Sequence, residues 1–255
     1  MSAITAVTDT FDVTGRNLRG LYRTPQTLVF ATVQPVIFVL LFRYAFGGAI
    51  HVPGVNYVYF LMPGVFAQAV CFGSIGTAVG LSADMRAGIL VRFRALPMAR
   101  IAVLAGRTTA DLARNILVIA VMTGVGYAVG FRSPRGTVAL LAALGLVVAF
   151  SYAMAWVFVA LGLSVSDPES AQAVAVPIMF LLVFTSSSFV PVADMPGWLQ
   201  AIALHQPVNA LVSAERALVI GGPALHDVLV SVAWTSGLLV AFVALSASIY
   251  TRMSR

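Results

Sequence analysis

Asp84–Arg100, DMRAGILVRFRALPMAR, sets Arg86, Arg92, Arg94 and Arg100 against a single acid, in a chain that is 60% hydrophobic and 9% charged. Soluble domains average about 25% charged residues, so an oily chain with this composition belongs in a membrane. A basic stretch fixed between greasy segments then marks the cytoplasmic side. Outward from it the chain divides into runs without Asp, Glu, Lys or Arg: Tyr44–Ala83, Gly136–Ser166, Ser170–Ala193 and Val228–Thr251. About 20 such residues cross a bilayer. Gln26–Gly47, with Arg43 close enough to its end to snorkel, and Asn115–Phe131, extended back through Arg114 and Asp111, add two more. The reading is an all-α polytopic membrane protein with six transmembrane helices, at 26–47, 56–81, 108–131, 137–163, 171–191 and 228–250.

The arginines set the orientation. With both termini cytoplasmic, the inside holds Arg16, Arg19, Arg23, Arg86, Arg92, Arg94, Arg100, Arg107, Arg252 and Arg255, and the outside Arg43, Arg132, Arg135 and Arg216. That asymmetry follows the positive-inside rule. The net charge of +6 belongs to this inner face, where basic residues meet anionic lipid; no basic run with interleaved aromatics forms a nucleic-acid platform. Residues 1–24 lack the continuous apolar core of a signal peptide. Ile4, Val7, Phe11, Leu18, Leu21 and Tyr22 gather on one helical face opposite Asp9, Asp12, Arg16, Arg19 and Arg23, which predicts an N-terminal interfacial amphipathic helix ended at Thr24-Pro25.

Within the opening stretch, Met85, Ile89, Phe93 and Leu96 recur at helical spacing as a narrow apolar stripe, and Pro97 ends the helix. A short amphipathic helix held at both ends by spans can act as a lever. It can equally be a basic loop that only sets topology, and these residues alone leave both readings open. The other anomaly is 194–227. Pro196, Pro207 and Pro223 interrupt it, and Gln200, His205, Gln206, Asn209, Glu215 and Arg216 make it a costly span. A seventh crossing would also carry Arg252 and Arg255 outside. The segment is therefore read as short re-entrant helices in the outer leaflet, with Trp198 at the interface. Glu215 and Arg216, adjacent on a helix, point about 100° apart and are expected to pair with other groups.

Little chemistry can be defended. His51, His205 and His226 lack metal-ligand spacing, so no metal site is expected. Ser74 is not in a nucleophile motif and has no histidine base within a span; with Gly73, Gly76, Thr77 and Gly80 it reads as a helix-packing surface. Asp111 and Arg114, at i and i+3, are expected to pair. The lone Cys71 forms no internal disulfide. All 15 basic residues are arginine, so a P-loop with its phosphate-reaching lysine cannot exist in this chain. The chain is not read as an enzyme and carries no cofactor of its own. Nucleotide-driven work must enter from another polypeptide.

The run YFLMPGVFAQAVCFGSIGTAVGLSADMRAGILVRFRALPMARIAVLAGRTTADLARN, 59–115, with HQPVNALVSAERALVIGG, 205–222, resembles the ABC type-2 transporter permeases, in particular those like the daunorubicin-resistance exporters of actinobacteria. The resemblance implies one permease domain over 1–255, multi-pass in the plasma membrane. Its partners are an ABC ATPase subunit that binds ATP and Mg, membrane lipids, and a second permease in a homodimer or heterodimer. It also implies that 84–100 is the coupling helix, with Asp84, Arg86, Ile89, Arg92, Phe93, Arg94, Leu96, Pro97 and Arg100 on the ATPase. DMRAG stands where the family more often has a Glu-rich version. Asp167 and Glu169 in SVSDPES make secondary cytoplasmic contacts or cap the fifth span. Pro191, Trp198, Pro207, Asn209, Glu215 and Arg216 form an extracellular gate. The cargo is an amphiphilic or hydrophobic drug or lipid. The rival is a secondary transporter or channel, disfavoured because the spans show no central acid and no repeat.

Overall fold

The computed structural model describes residues 14–15, 25–48, 50, 52, 54–89 and 100–253. Among them are eight α-helices and no strand: α1 Pro25–Leu40, α2 Tyr57–Arg86, α3 Arg100–Ala128, α4 Gly136–Ser164, α5 Pro168–Phe184, α6 Gly197–Leu204, α7 Pro207–Val219 and α8 Ala224–Arg252. Four helices, α2, α3, α4 and α8, are long and apolar enough to cross a membrane; α1 and α5 are shorter and also apolar. The interfacial helix expected over 1–24 lies outside the described residues, apart from Thr14 and Gly15. So do Arg92, Phe93, Arg94, Leu96 and Pro97, and the side chain of Arg100, whose backbone opens α3.

Local chemistry fixes the helix ends. The Asn56 side chain accepts the Val58 amide and starts α2. Asp167 accepts the Ser170 amide at 2.8 Å, with Pro168 at the first helical position of α5 and Glu169 in its first turn. α1 does not stop at Leu40 but widens into a π-helical turn, Leu41–Phe46, and the two together cover the first predicted span.

α2 is the enclosed centre, with every residue from Phe60 to Cys71 buried. A helix apolar all round is stable only inside a bundle or in lipid. It packs against α4, α5, α3 and α7, and α4 packs in turn on α8. Gly162 on α4 is what permits this: a Cβ there would stand 2.8 Å from the Ala78 carbonyl oxygen. At the end where α2 finishes and α3 begins, Leu81, Leu104, Trp156, Leu163 and Tyr250 form a second apolar cluster. α8 is the least enclosed helix, burying only Ser231, Ser246 and Tyr250, and it leaves Leu225, Leu229 and Val240 outward.

Several boundaries differ from expectation: α2 runs past 81 to Arg86, inside the 84–100 segment, with Gly88 following at φ 68°, and α3 spans Arg100–Ala128 against the 108–131 read for the third span. The fifth span, read as 171–191, ends as a helix at Phe184. The amides that would carry the helix on are taken by side chains: the Ser187 amide donates to Asn209 Oδ1 and the Ser188 amide to Ser186 Oγ, instead of to the Val183 and Phe184 carbonyls. Hydropathy is blind to these partners and misses this.

The turn made by Ser186–Ser188 presses on Gly64, where an added Cβ would collide with the Ser188 carbonyl. Gly64→Ala should therefore lower stability by about 1–3 kcal/mol, read as a fall in Tm of the detergent-purified protein. Gly124→Ala, which would meet nothing within 4 Å, should leave Tm unchanged or raise it.

Candidate functional site

Two polar constructions stand inside the apolar bundle, one at each end of α2.

The first surrounds Arg216 on α7. Its Nε donates to the Phe60 carbonyl at 3.0 Å, Nη1 to Ser187 Oγ at 2.9 Å and Nη2 to the Ser187 carbonyl at 2.6 Å, while the guanidinium lies over the Phe60 ring, Cζ 3.5 Å from its centroid. The planar fork of arginine suits this spread of acceptors; the point charge of lysine does not. Pro63 removes the amide that would bond Tyr59 and loosens α2 next to the Phe60 carbonyl. From the same helix, Asn209 Oδ1 accepts the Ser187 amide at 3.0 Å, and Gln206 Nε2 donates to the Leu182 carbonyl at 2.8 Å. The Tyr57 hydroxyl donates to the Phe189 carbonyl at 3.1 Å. α7 thus ties the end of α5 to the start of α2. Arg135 donates to the Ala217 carbonyl and Ser133 to the Val219 carbonyl, so the turn between α3 and α4 lies at this same end.

Glu215 and Arg216 form no ion pair with each other, as the helical geometry predicts, and Arg216 bonds elsewhere. Glu215 is 1% exposed and its Oε1 has no hydrogen-bond partner among the described residues. Burial pushes its carboxyl well above the ordinary carboxylate range, against the pull of the Arg216 charge. Burial likewise works against the charge on Arg216, with Glu215 and Tyr57 opposing that shift. Of the other gate residues, Pro207 is the first residue of α7 and Pro191 precedes a short 3-10 turn, Val192–Asp194. Trp198 stands apart on α6, 68% exposed. The structure therefore brings together Asn209, Glu215 and Arg216 and leaves Pro191 and Trp198 out. The sequence reading overlooked Tyr57 and Ser186–Ser188, although three serines closing an apolar run were the available signal.

The second construction joins α2 to α3. Arg107 Nη1 meets Asp84 Oδ2 at 2.5 Å; Thr77 Oγ1 donates to Asp111 Oδ2 at 2.7 Å; Arg114 Nη1 lies 3.3 Å from Asp111 Oδ1 and its Nη2 donates to the Gly73 carbonyl at 2.6 Å. Asn115 Nδ2 continues to Ser151 Oγ of α4 at 2.7 Å. The expected Asp111–Arg114 pair is present. The small residues of α2 form the helix-packing surface expected: Gly73, Gly76 and Gly80 meet the side chains of Asn115, Arg114 and Arg107 of α3. Asp84, assigned to the ATPase-facing set, directs its carboxylate to Arg107. Arg86 is exposed and Ile89 half-buried beside the end of α2. Asp167 is the exposed cap of α5, and the hydrogen bonds from Ser170, with Arg86 adding a smaller pull, hold its carboxyl below the usual range. Among the described residues, no cluster of His, Cys, Asp or Glu could hold a metal ion.

The sequence that builds this bundle has counterparts among known proteins. The ABC-2 type transporter family matches residues 9–220. The chain belongs to that family. Over 246 residues it is 32% identical to the daunorubicin resistance ABC transporter permease protein DrrB1 of Streptomyces coeruleorubidus, covering 96% of this chain and 87% of the relative. A probable doxorubicin resistance ABC transporter permease protein, DrrC of Mycobacterium tuberculosis, is 28% identical over 235 residues, 92% of this chain and 85% of the relative. The doxorubicin resistance permease protein DrrB of that organism is 28% identical over 220 residues, covering 80% and 76%. These relatives are permease proteins, and in this family the ATPase is a separate subunit.

Arg216→Ala should remove charge-assisted hydrogen bonds together worth about 3 kcal/mol, and Arg216→Lys should recover only part of that, both read as Tm in detergent. Glu215 gives a pH signature. Its folded pKa is raised, so the native state binds more protons than the unfolded state above the ordinary carboxylate range, and stability falls as pH rises through that window. Glu215→Gln should flatten the fall in Tm as pH rises above the ordinary carboxylate range.

Proposed function

We propose that this chain is the permease subunit of an ATP-driven exporter that moves an amphiphilic or hydrophobic compound, a drug or a lipid, out of the cell. The observation that carries the reading is near full-length identity with drug-resistance permease proteins, in a chain whose lack of lysine removes any P-loop of its own. α1 with its π-helical turn and α5 join the four long helices as six spans. The 17 residues of α5 reach about 26 Å at 1.5 Å per residue, at the short end of what crosses a bilayer. The arginine asymmetry puts both termini and the α2–α3 connection in the cytoplasm.

On this reading an ATPase subunit docks on Asp84–Arg100, with Arg86, Arg92 and Arg94 facing it and Asp167 and Glu169 adding contacts from the α4–α5 turn. ATP and Mg act on that subunit. A second permease, identical or related, completes the path. α6 and α7 then lie in the outer leaflet, and Arg216, holding α5 against α2, closes the outward exit. The apolar surfaces of α1, α5 and α8, including Ile37, Leu181 and Leu229, meet lipid.

In vesicles holding the chain and its ATPase subunit, ATP should drive efflux of an amphiphilic dye. Arg92→Glu with Arg94→Glu should lower that efflux at least tenfold. Efflux that follows a proton gradient and needs no ATPase subunit would establish the secondary-transporter reading instead.

A further inference from the structure

A displacement that enters a loop between two helices has two fates: the helices slide past each other and absorb it, or they move together and pass it on. Aliphatic contacts between helices in lipid resist small sliding weakly, because one set of methyl contacts replaces another at little cost. Charges in a low-dielectric interior behave differently, since each must keep its partner or be stranded.

The α2–α3 tie has the second character. Asp84–Arg107, Thr77–Asp111 and Gly73–Arg114 are three rungs in antiparallel register: as the position on α2 falls, the position on α3 rises. They extend from residue 84 to residue 73, about 16 Å along the helix axis. Arg107, Asp111 and Arg114 recur at i, i+4 and i+7, one face of α3. Gly76 and Gly80 leave grooves that the arginine side chains fill, and Arg114 reaches both Asp111 and a backbone carbonyl, an acceptor that cannot change rotamer to follow a shift. The inner end of the tie adjoins the α2–α3 connection. Its outer end is one buried stretch of α2 from Pro63 and the Phe60 carbonyl that Arg216 holds.

We propose that Arg107, Asp111 and Arg114 are positioning residues that lock α3 to α2 in register, so that the two helices carry a movement of their connection to the Pro63 turn and the Arg216 lock as one rigid body. The inference rests on the reading that an ATPase drives the α2–α3 connection. It adds which residues keep that work from being lost within the bundle.

The test uses the full chain with its ATPase subunit in vesicles, reading dye export per ATP hydrolysed. Arg114→Gln should lower that ratio at least tenfold while ATP hydrolysis and co-purification of the ATPase persist. A second variant, Thr77→Cys with Asp111→Cys in a Cys71→Ala background, replaces the middle rung by a bond that can be made and broken. Reduced, it should show the same low ratio; cross-linked by oxidation or a short bis-thiol reagent, it should return to within about threefold of the parent. An unchanged ratio in Arg114→Gln, or a cross-link that stops export while hydrolysis continues, overturns the proposal, because the helices must then slide. If Arg114→Gln does not assemble, the cross-link variant decides alone. Failure of the broader reading would look different: the parent chain itself would show no ATP-dependent export.

Discussion

A guanidinium held by main-chain carbonyls of two separate elements is the contact on which the end of this protein where α2 begins depends. Arg216 reaches the Phe60 carbonyl of α2 and the Ser187 carbonyl beyond α5 at once. In hydrocarbon those carbonyls have no water to turn to, and an unmet polar group costs several kcal/mol. α7 is therefore held inside the bundle by the same atoms that it satisfies. Its burial of Val208, Leu211 and Val212 follows from that anchor as much as from their own apolarity.

The opposite end obeys the same constraint with side-chain charges. Asp111 and Arg114 are too polar for lipid and pair with each other beside the glycines of α2, while Asp84 and Arg107, 25% and 18% exposed near the helix ends, pair at the edge. Each tie connects helices that aliphatic packing alone would leave free to shift. What lies between them on α2, from Leu61 to Val70, is buried throughout and apolar except for Gln68, whose side-chain amide has no hydrogen-bond partner among the described residues.

The helices were legible in the sequence because lipid imposes so simple a rule: long uncharged runs, interrupted by arginine and proline, became α4 within one residue of its expected bounds and α2 and α8 within five. The failure at 185–191 has an equally definite cause, since hydropathy cannot tell a serine that continues a helix from one whose amide is drawn off by a side chain such as Asn209. In the site, the divergence of Glu215 and Arg216 followed from helical geometry, and the Asp111–Arg114 pair from spacing. The partners of Arg216 did not, because they are backbone atoms contributed by Phe60 and Ser187, and a carbonyl carries no residue identity for a sequence to announce. For the glycines of α2 the residue type was informative and the partner was not: small size showed that something approaches closely, not that arginine side chains do.

The π-helical turn Leu41–Phe46 carries one further implication. A turn of that kind holds one residue more than the α-helical turn it replaces, and such a surplus is how a helix accommodates an inserted amino acid without breaking. Removing a single residue there would restore regular winding and rotate everything N-terminal to it by about 100°. Val29, Val33 and Ile37, which now look outward, would swing toward a neighbour, out of the register that Phe42, stacked on Phe189, now sets. One codon lost at this turn would thus redirect a whole outward-facing stripe.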